Sequence, residues 1–458
     1  MGKRLFLSVL AYLLALTAAF AGEVTIDGIK YFYEYSSSGS HLTARVLVQD
    51  GKSKEGVVEI PVFITVDDNM KLYVTAISSL AFDGNTKITK VIIPGCVGSI
   101  GGGAFRDCTA LKEVDIKTDT SLDDAGYSFT FNGLTQIEDN AFGSCTSLES
   151  INLPETLTYL GDAFSYCTSL TAITLPSSLT TLGGFRECTN LKSISIPTGI
   201  KGIPYRAFLN CTSLESVTFN GPINGIGEDA FRGCTSLKSI DLSKGVNILG
   251  RAFYDSGLEN VTLPETGLTS IGESCFASTK IKSINVPASV TFIGSGFCNG
   301  CTELTEAVIQ GGTYSSSEKS LFAGCTKLAT ASVTWTGEMA TQMFIGCSSL
   351  SSVELKGNIT TIGEGAFQGC TSLKSLAVPS TVTKIGYWAF QDCSALESIT
   401  MPSSVTTIKN SAFKGCAALA NLALPNSLQE VQNDAFSGCS SLTEIPLPDS
   451  VTSIGILA

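Results

Sequence analysis

Apolar positions along this chain follow a compound rhythm. A short run in which every second residue is apolar leads into a run in which glycine separates bulkier apolar residues. The whole pattern returns about every 23 residues. A clear copy carries Ile362, Gly363, Ala366, Phe367, Cys370, Leu373, Leu376, Val378 and Pro379, and the next three copies repeat its aromatic at Phe390, Phe413 and Phe436. In residues 148–154, Ile151 and Leu153 share one face by period-two alternation, which puts Ser150 and Asn152 on the other. The pattern predicts a strand that ends at proline, because proline cannot donate to a ladder. A turn carrying Ile-Gly follows, then a short helical or 3-10 segment carrying Ala-Phe, closed by the Cys position. A fixed period in this range marks a solenoid.

The predicted fold is therefore an α/β repeat: a right-handed, curved leucine-rich-repeat solenoid of about sixteen coils over residues 57–458. One parallel β-sheet is expected on the concave face, with short helical or 3-10 turns opposite. Phenylalanine fills its position in fifteen copies; in the remaining one Cys298 stands there, with Phe297 beside it. No coil can bury that ring alone, so stacking must supply the stability.

Four places depart from the period. Residues 22–56 read as short strands, expected to form an N-terminal β cap over the first coil. Cys108 and Cys145 are 37 residues apart, which predicts an inserted loop near 117–135 bearing Tyr127, Phe129 and Phe131. Residues 311–317 lack the strand-ending proline and include Tyr314. The last coil opens at Ser450 and stops at Ala458, so a following segment is expected. At the other end, Lys3 and Arg4 precede an apolar stretch over 5–16 and an Ala19-Phe20-Ala21 cleavage motif. Residues 1–21 thus read as a secretory signal peptide, with no membrane insertion in the mature chain.

Composition narrows the function. The net charge is −12 and only 15% of residues are charged, with no basic block. That argues against nucleic acid, which requires clustered lysine and arginine, and against attachment to anionic lipid. Sixteen cysteines in an exported chain suggest disulfides. However, thirteen of them hold one repeat position, where Asn85, Ser256 and Thr279 stand in other copies. That position calls for a small hydrogen-bonding side chain, so a reduced cysteine ladder is expected.

Catalytic chemistry is thin. His41 is the sole histidine, and the one Cys-x-x-Cys, Cys298 to Cys301, falls on repeat positions. No enzyme activity, metal or cofactor is expected. The binding candidates are the hydroxyl-rich strand face, represented by Ser150, Asn152, Ser193 and Ser195, and the aromatics of insertions and turns: Tyr127, Phe129, Phe131, Tyr314 and Trp335.

The recurring Ile-Gly-x-x-Ala-Phe-x-x-Cys-x-x-Leu-x-x-Ile-x-Leu-Pro, as in residues 362–379, resembles the BspA-like class of bacterial leucine-rich repeats. The resemblance implies a secreted or cell-surface protein. It also implies adhesion or ligand binding through the repeat surface, with host extracellular-matrix proteins as targets. It carries over no catalytic residue. Self-association as an envelope scaffold and binding of glycans are the alternatives.

Overall fold

The computed structural model describes residues 21–34, 43–46, 54–66, 70–119, 121–124, 127–243, 247–311 and 319–458. The chain divides into two units, residues 1–221 and 222–458. Both are β-solenoids with the expected period.

In the first unit an antiparallel hairpin, Ala21–Ile26 with Ile29–Glu34, precedes the coils. Thr43–Val46 already pairs in parallel with Met70–Ile77, and Gly56–Glu59 with Ile88–Ile93. Two parallel ladders then run through the unit. One joins Ile88–Ile93, Glu113–Ile116 and Ser150–Ile151 and resumes with Ser193–Ile196 and Ser216–Phe219. The other joins Met70–Ile77, Ser99–Ile100, Gln136–Ile137, Tyr159–Leu160 and Thr181–Leu182. The second unit repeats both ladders. Ser283–Val286, Glu306–Ile309, Thr330–Thr334 and Ser352–Lys356 represent the first; Ile359–Ile362, Lys384–Ile385, Thr407–Ile408 and Glu430–Val431 represent the second.

Two sequence expectations are corrected here. The fold has a second sheet where the Ile-Gly segment was assigned to a turn. Its strands are mostly two residues long, too short for alternation to announce them. In addition, the Ala-Phe segment is not helical: among the described residues it forms consecutive turns in the coils, except at Gly183–Phe185, which carry none. The hydrogen bonds explain why. The amides of Ala81, Asp83 and Asn85 bond back three residues within their own coil, while those of Leu80, Phe82 and Gly84 donate to Gly102, Ala104 and Arg106 of the next. A helix would consume every amide internally, whereas here alternate amides serve the stack. The alternation needs two left-handed residues per coil, such as Gly365 and Gly369 (φ 57° and 73°). This accounts for the glycine that so often precedes the cysteine.

The core is a column of phenylalanine rings. Phe82, Phe105, Phe142, Phe164, Phe185 and Phe208 stack with centroids 4.9–5.8 Å apart and planes within 7° of parallel. The second unit has its own column, in which Phe297 alone stands edge-on, at 83° to Phe276 and 80° to Phe322.

Beside the rings runs the cysteine ladder. All sixteen cysteines are buried free thiols. Cys145 Sγ donates to the Phe105 carbonyl (3.1 Å), Cys167 to Phe142 (3.1 Å) and Cys393 to Phe367 (3.1 Å). Each of these carbonyls also accepts its own coil's cysteine amide, as Phe105 does from Cys108. The thiol thus supplies the link between coils. Where Thr279 replaces cysteine, its hydroxyl donates to the Phe276 carbonyl of its own coil (2.7 Å). At the first coil Asn85 bonds the Lys54 carbonyl and the amides of Lys87 and Ile88.

Close stacking restricts some glycines absolutely. A Cβ on Gly183 would lie 2.1 Å from the carbonyl carbon of Gly161, which is backbone and cannot step aside. Gly183→Ala is therefore expected to lower stability by about 2 kcal/mol or more. Urea denaturation of the full chain would read the loss, and an unchanged midpoint would contradict the packing described.

Candidate binding surface

Alternation in the first ladder points side chains in by twos and leaves the rest outside. Ser193–Ile196 and Ser283–Val286 both run exposed, buried, exposed, buried. Parallel pairing then aligns equivalent residues across coils. Ser193 lies beside Ser216, and Ser195 beside Thr218. In the second unit Ser283, Glu306, Thr330 and Ser352 form one row, and Asn285, Val308, Ser332 and Glu354 the next. Side chains of adjacent coils bond one another on this face: Ser332 Oγ donates to Glu354 along the second row (3.0 Å), and Gln310 Nε2, just beyond its strand, donates to Asn285 (2.9 Å). In the first unit Lys90 and Glu113 pair across the same face at 2.8 Å. The face is a polar sheet surface with a regular coil-to-coil repeat.

The individual candidates fare differently. Ser150, Ser193 and Ser195 lie exposed on this face. Asn152 does too, but its amide is committed. Its Oδ1 accepts from the Ile116 amide (2.7 Å) and its Nδ2 donates to the Ile116 carbonyl (2.6 Å), which continues the ladder beyond the short strand Ser150–Ile151. Asn152→Ala is expected to cost about 1–2 kcal/mol, because both backbone groups lose a partner. Equal thermal stability of the variant would show the two bonds to be dispensable.

The aromatic candidates separate further. Trp335 is no surface anchor: it is fully buried, and its indole Nε1 donates to the Glu338 carbonyl (2.8 Å). It directly follows Thr334, which stands where other coils carry the strand-ending proline. The insertion forms a hairpin, Ser121–Asp124 with Tyr127–Thr130, which places Tyr127 and Phe129 on its second strand. Phe131, just beyond, is half-buried and packs back onto Tyr73 with ring centroids 5.3 Å apart. Tyr314 and His41 lie outside the described residues.

Exposed aromatics are found elsewhere. Tyr387 and Trp388 stand side by side, 39% and 41% exposed, with Trp388 in a left-handed backbone conformation. In the first unit Tyr166 and Tyr205 are 43% and 57% exposed, with the guanidinium groups of Arg186 and Arg206 over their respective rings. Tyr166 carried one faint signal, in that its coil has a shortened spacing from Leu160 to Phe164.

Among the described residues no helix is long and apolar enough to cross a membrane. The profile of the BspA type leucine rich repeat region, with 6 copies, matches residues 65–134, 125–238, 201–329 and 337–458. No protein of curated function matches the chain. Among solved structures, a leucine-rich repeat protein from Bacteroides ovatus is 27% identical with a TM-score of 0.59, over 96% of this chain and 98% of that one. The leucine-rich repeat protein of T. pallidum is also 27% identical (TM-score 0.38, covering 46% of this chain and 90% of that one). A leucine-rich cell surface protein from Faecalibacterium prausnitzii is 23% identical (TM-score 0.34, covering 87% and 93%). With the repeat profile matched over most of its length and the same coil built throughout, the chain belongs to the BspA-type leucine-rich repeat family.

Proposed function

We propose that the chain is an exported, non-enzymatic binding protein displayed at the cell surface, an adhesin that contacts host matrix proteins or other macromolecules. The observation that carries this reading is the register of the first ladder's exposed rows, in which Ser283, Glu306, Thr330 and Ser352 stand at equivalent positions on successive coils. A rigid array of equivalent positions suits many weak contacts that sum over a long surface. Membership of the repeat family supports it, as does the signal-peptide pattern of residues 1–21.

The test is binding of residues 22–458 to an array of extracellular-matrix proteins and glycans at two salt concentrations. Saturable binding to a matrix protein, lost when exposed row residues such as Ser193 and Ser195 are replaced by bulky side chains, is the expected result. Binding confined to glycans would favour a lectin instead. A folded protein that binds nothing and self-associates with concentration would favour a structural scaffold.

A further inference from the structure

In the second unit one coil departs from the surface chemistry of its neighbours. The two positions before the Ala-Phe segment carry polar or small residues in the other coils, such as Glu273 and Ser274, Glu364 and Gly365, or Asn433 and Asp434. At Tyr387 and Trp388 both positions are filled by rings. Both rings are exposed, with centroids 6.1 Å apart and planes inclined at 49°. Trp388 also holds a left-handed backbone (φ 54°), which a bulky side chain rarely adopts. The same position is Gly365 in the coil before and Ser411 in the coil after. Packing would be served by either of those residues, so this coil combines backbone strain with exposed apolar surface.

The stack fixes what borders the rings. The Gly365 amide donates to the Tyr387 carbonyl (2.8 Å) and the Trp388 amide to the Asn410 carbonyl (3.1 Å). Glu364, Tyr387 and Asn410 therefore stand at one position on successive coils. Gly365 and Ser411, on either side of Trp388, are too short to cover an indole. A Cβ on Gly365 would have its three nearest atoms in Gln342 and Gln368, so the indole does not fold over that coil. Lys409 Nζ lies 5.8 Å from the Tyr387 centroid and 3.9 Å from the Glu430 carboxylate, so it covers one face of the tyrosine and has its own counter-ion. Among the described residues the side chains of Glu364, Gln368 and Asn410 make no hydrogen bond or ion pair.

Open rings bordered by one uncommitted carboxylate and two uncommitted amides suit a particular ligand chemistry. A pyranose presents C–H groups on its flat face and hydroxyls around its rim. The C–H dipoles complement the negative face of an aromatic ring. The hydroxyls donate to a carboxylate and exchange hydrogen bonds with amides. An anionic ligand is disfavoured, because Glu364 has no counter-ion, Lys409 is already paired and the chain carries a net charge of −12. An apolar peptide would cover Glu364, Gln368 and Asn410 without offering them partners, which is unfavourable.

We propose that Tyr387 and Trp388 form a platform for a neutral saccharide. Trp388 stacks on one pyranose ring, and Glu364, Gln368 and Asn410 bond the hydroxyls around it. The inclination of the two planes lets consecutive sugars of one chain meet one ring each. The site lies outside the exposed rows of the first ladder and does not rest on the function proposed above. Replacing Ser193 and Ser195 is expected to leave saccharide binding unchanged, so either reading can fail alone.

The chain has two tryptophans and Trp335 is buried, so quenching of its fluorescence by acrylamide reports on Trp388. The experiment titrates residues 22–458 with maltohexaose, cellohexaose and N-acetylchitohexaose in turn. Saturable protection of Trp388 from the quencher by at least one of them, at roughly millimolar concentration or below, is expected. Trp388→Gly should bind that saccharide at least about tenfold more weakly by calorimetry. It should also melt no lower than the wild type, because glycine suits a φ of 54°. A tryptophan with only a structural role would lower the melting temperature instead. Asn410→Ala, whose backbone carbonyl still accepts from Trp388, provides a second variant with a smaller loss of affinity should the first fail to fold. The proposal is overturned if none of the three saccharides protects Trp388, or if the folded variants bind as tightly as the wild type. It is also overturned if a neutral leucine-serine peptide protects Trp388 where the saccharides do not, which would make this a protein contact.

Discussion

Raising the pH from 8 to 11 under reducing conditions is expected to unfold this protein, and the cysteine ladder is the reason. Burial pushes the thiols of Cys108, Cys347 and Cys393 up to about 12, and that of Cys96 to about 11. In the unfolded chain a thiol ionises near 8.5. Between those limits the folded state holds the proton that the unfolded state has released, so stability is intact below about pH 8.5 and falls as pH rises towards 11–12. Each such thiol costs about 1.4 kcal/mol per pH unit in that window, so at pH 10 these four together remove roughly 6–8 kcal/mol. That is comparable with the whole stability of many domains. Circular dichroism across the pH range would measure it. A variant with all four replaced by alanine should start less stable at pH 7 and decline less steeply. If wild type and variant lose structure with the same slope, the ladder is not the titrating element.

The second large effect concerns the coil in which the ring and the small residue have exchanged places. Phe297 occupies the alanine position and Cys298 the phenylalanine position, and both are fully buried. The volume of the coil is conserved while the ring turns edge-on between Phe276 and Phe322. The alanine positions on either side hold Cys275 and Leu321, both also buried. Phe297→Ala alone leaves a cavity and is expected to cost about 3–5 kcal/mol. Cys298→Phe alone overpacks the column, at about 1–3 kcal/mol. The double variant restores the consensus order and should approach wild-type stability, with a coupling energy of at least about 2 kcal/mol in a double-mutant cycle. Additive losses would mean that neighbouring coils, and not the volume of this one, determine the orientation of the ring.

Much of the fold was legible because one pattern is repeated so often. The 23-residue spacing of Phe367, Phe390, Phe413 and Phe436 specifies stacked coils, and inward alternation in segments such as Ser193–Ile196 specifies which face is exposed. The cysteine position was legible as well, because Asn85 and Thr279 share it and both can hydrogen-bond. The second ladder was not legible. A two-residue strand such as Tyr159–Leu160 has no period to detect, and its existence depends on the coil beside it. Trp335 misled for a related reason. An aromatic in an irregular turn looks like a surface anchor until the neighbouring coils close over it.

The binding surface divides along the same line. From the sequence alone came the family, the register of the coils and the polar character of the first ladder's outer face, because these are properties of residues within one repeat. What only the tertiary structure decided is where the repeats fail to match one another. Asn152 becomes part of the ladder because Ile116 lies opposite it, 36 residues earlier in the chain. A hollow opens between Thr181–Leu182 and Gly202–Ile203, which do not pair, where one coil is two residues short of the consensus. The physical reason is that a solenoid's interior is set by each coil's own composition, whereas its surface relief is set by differences between adjacent coils. Such differences take shape only when the coils are stacked.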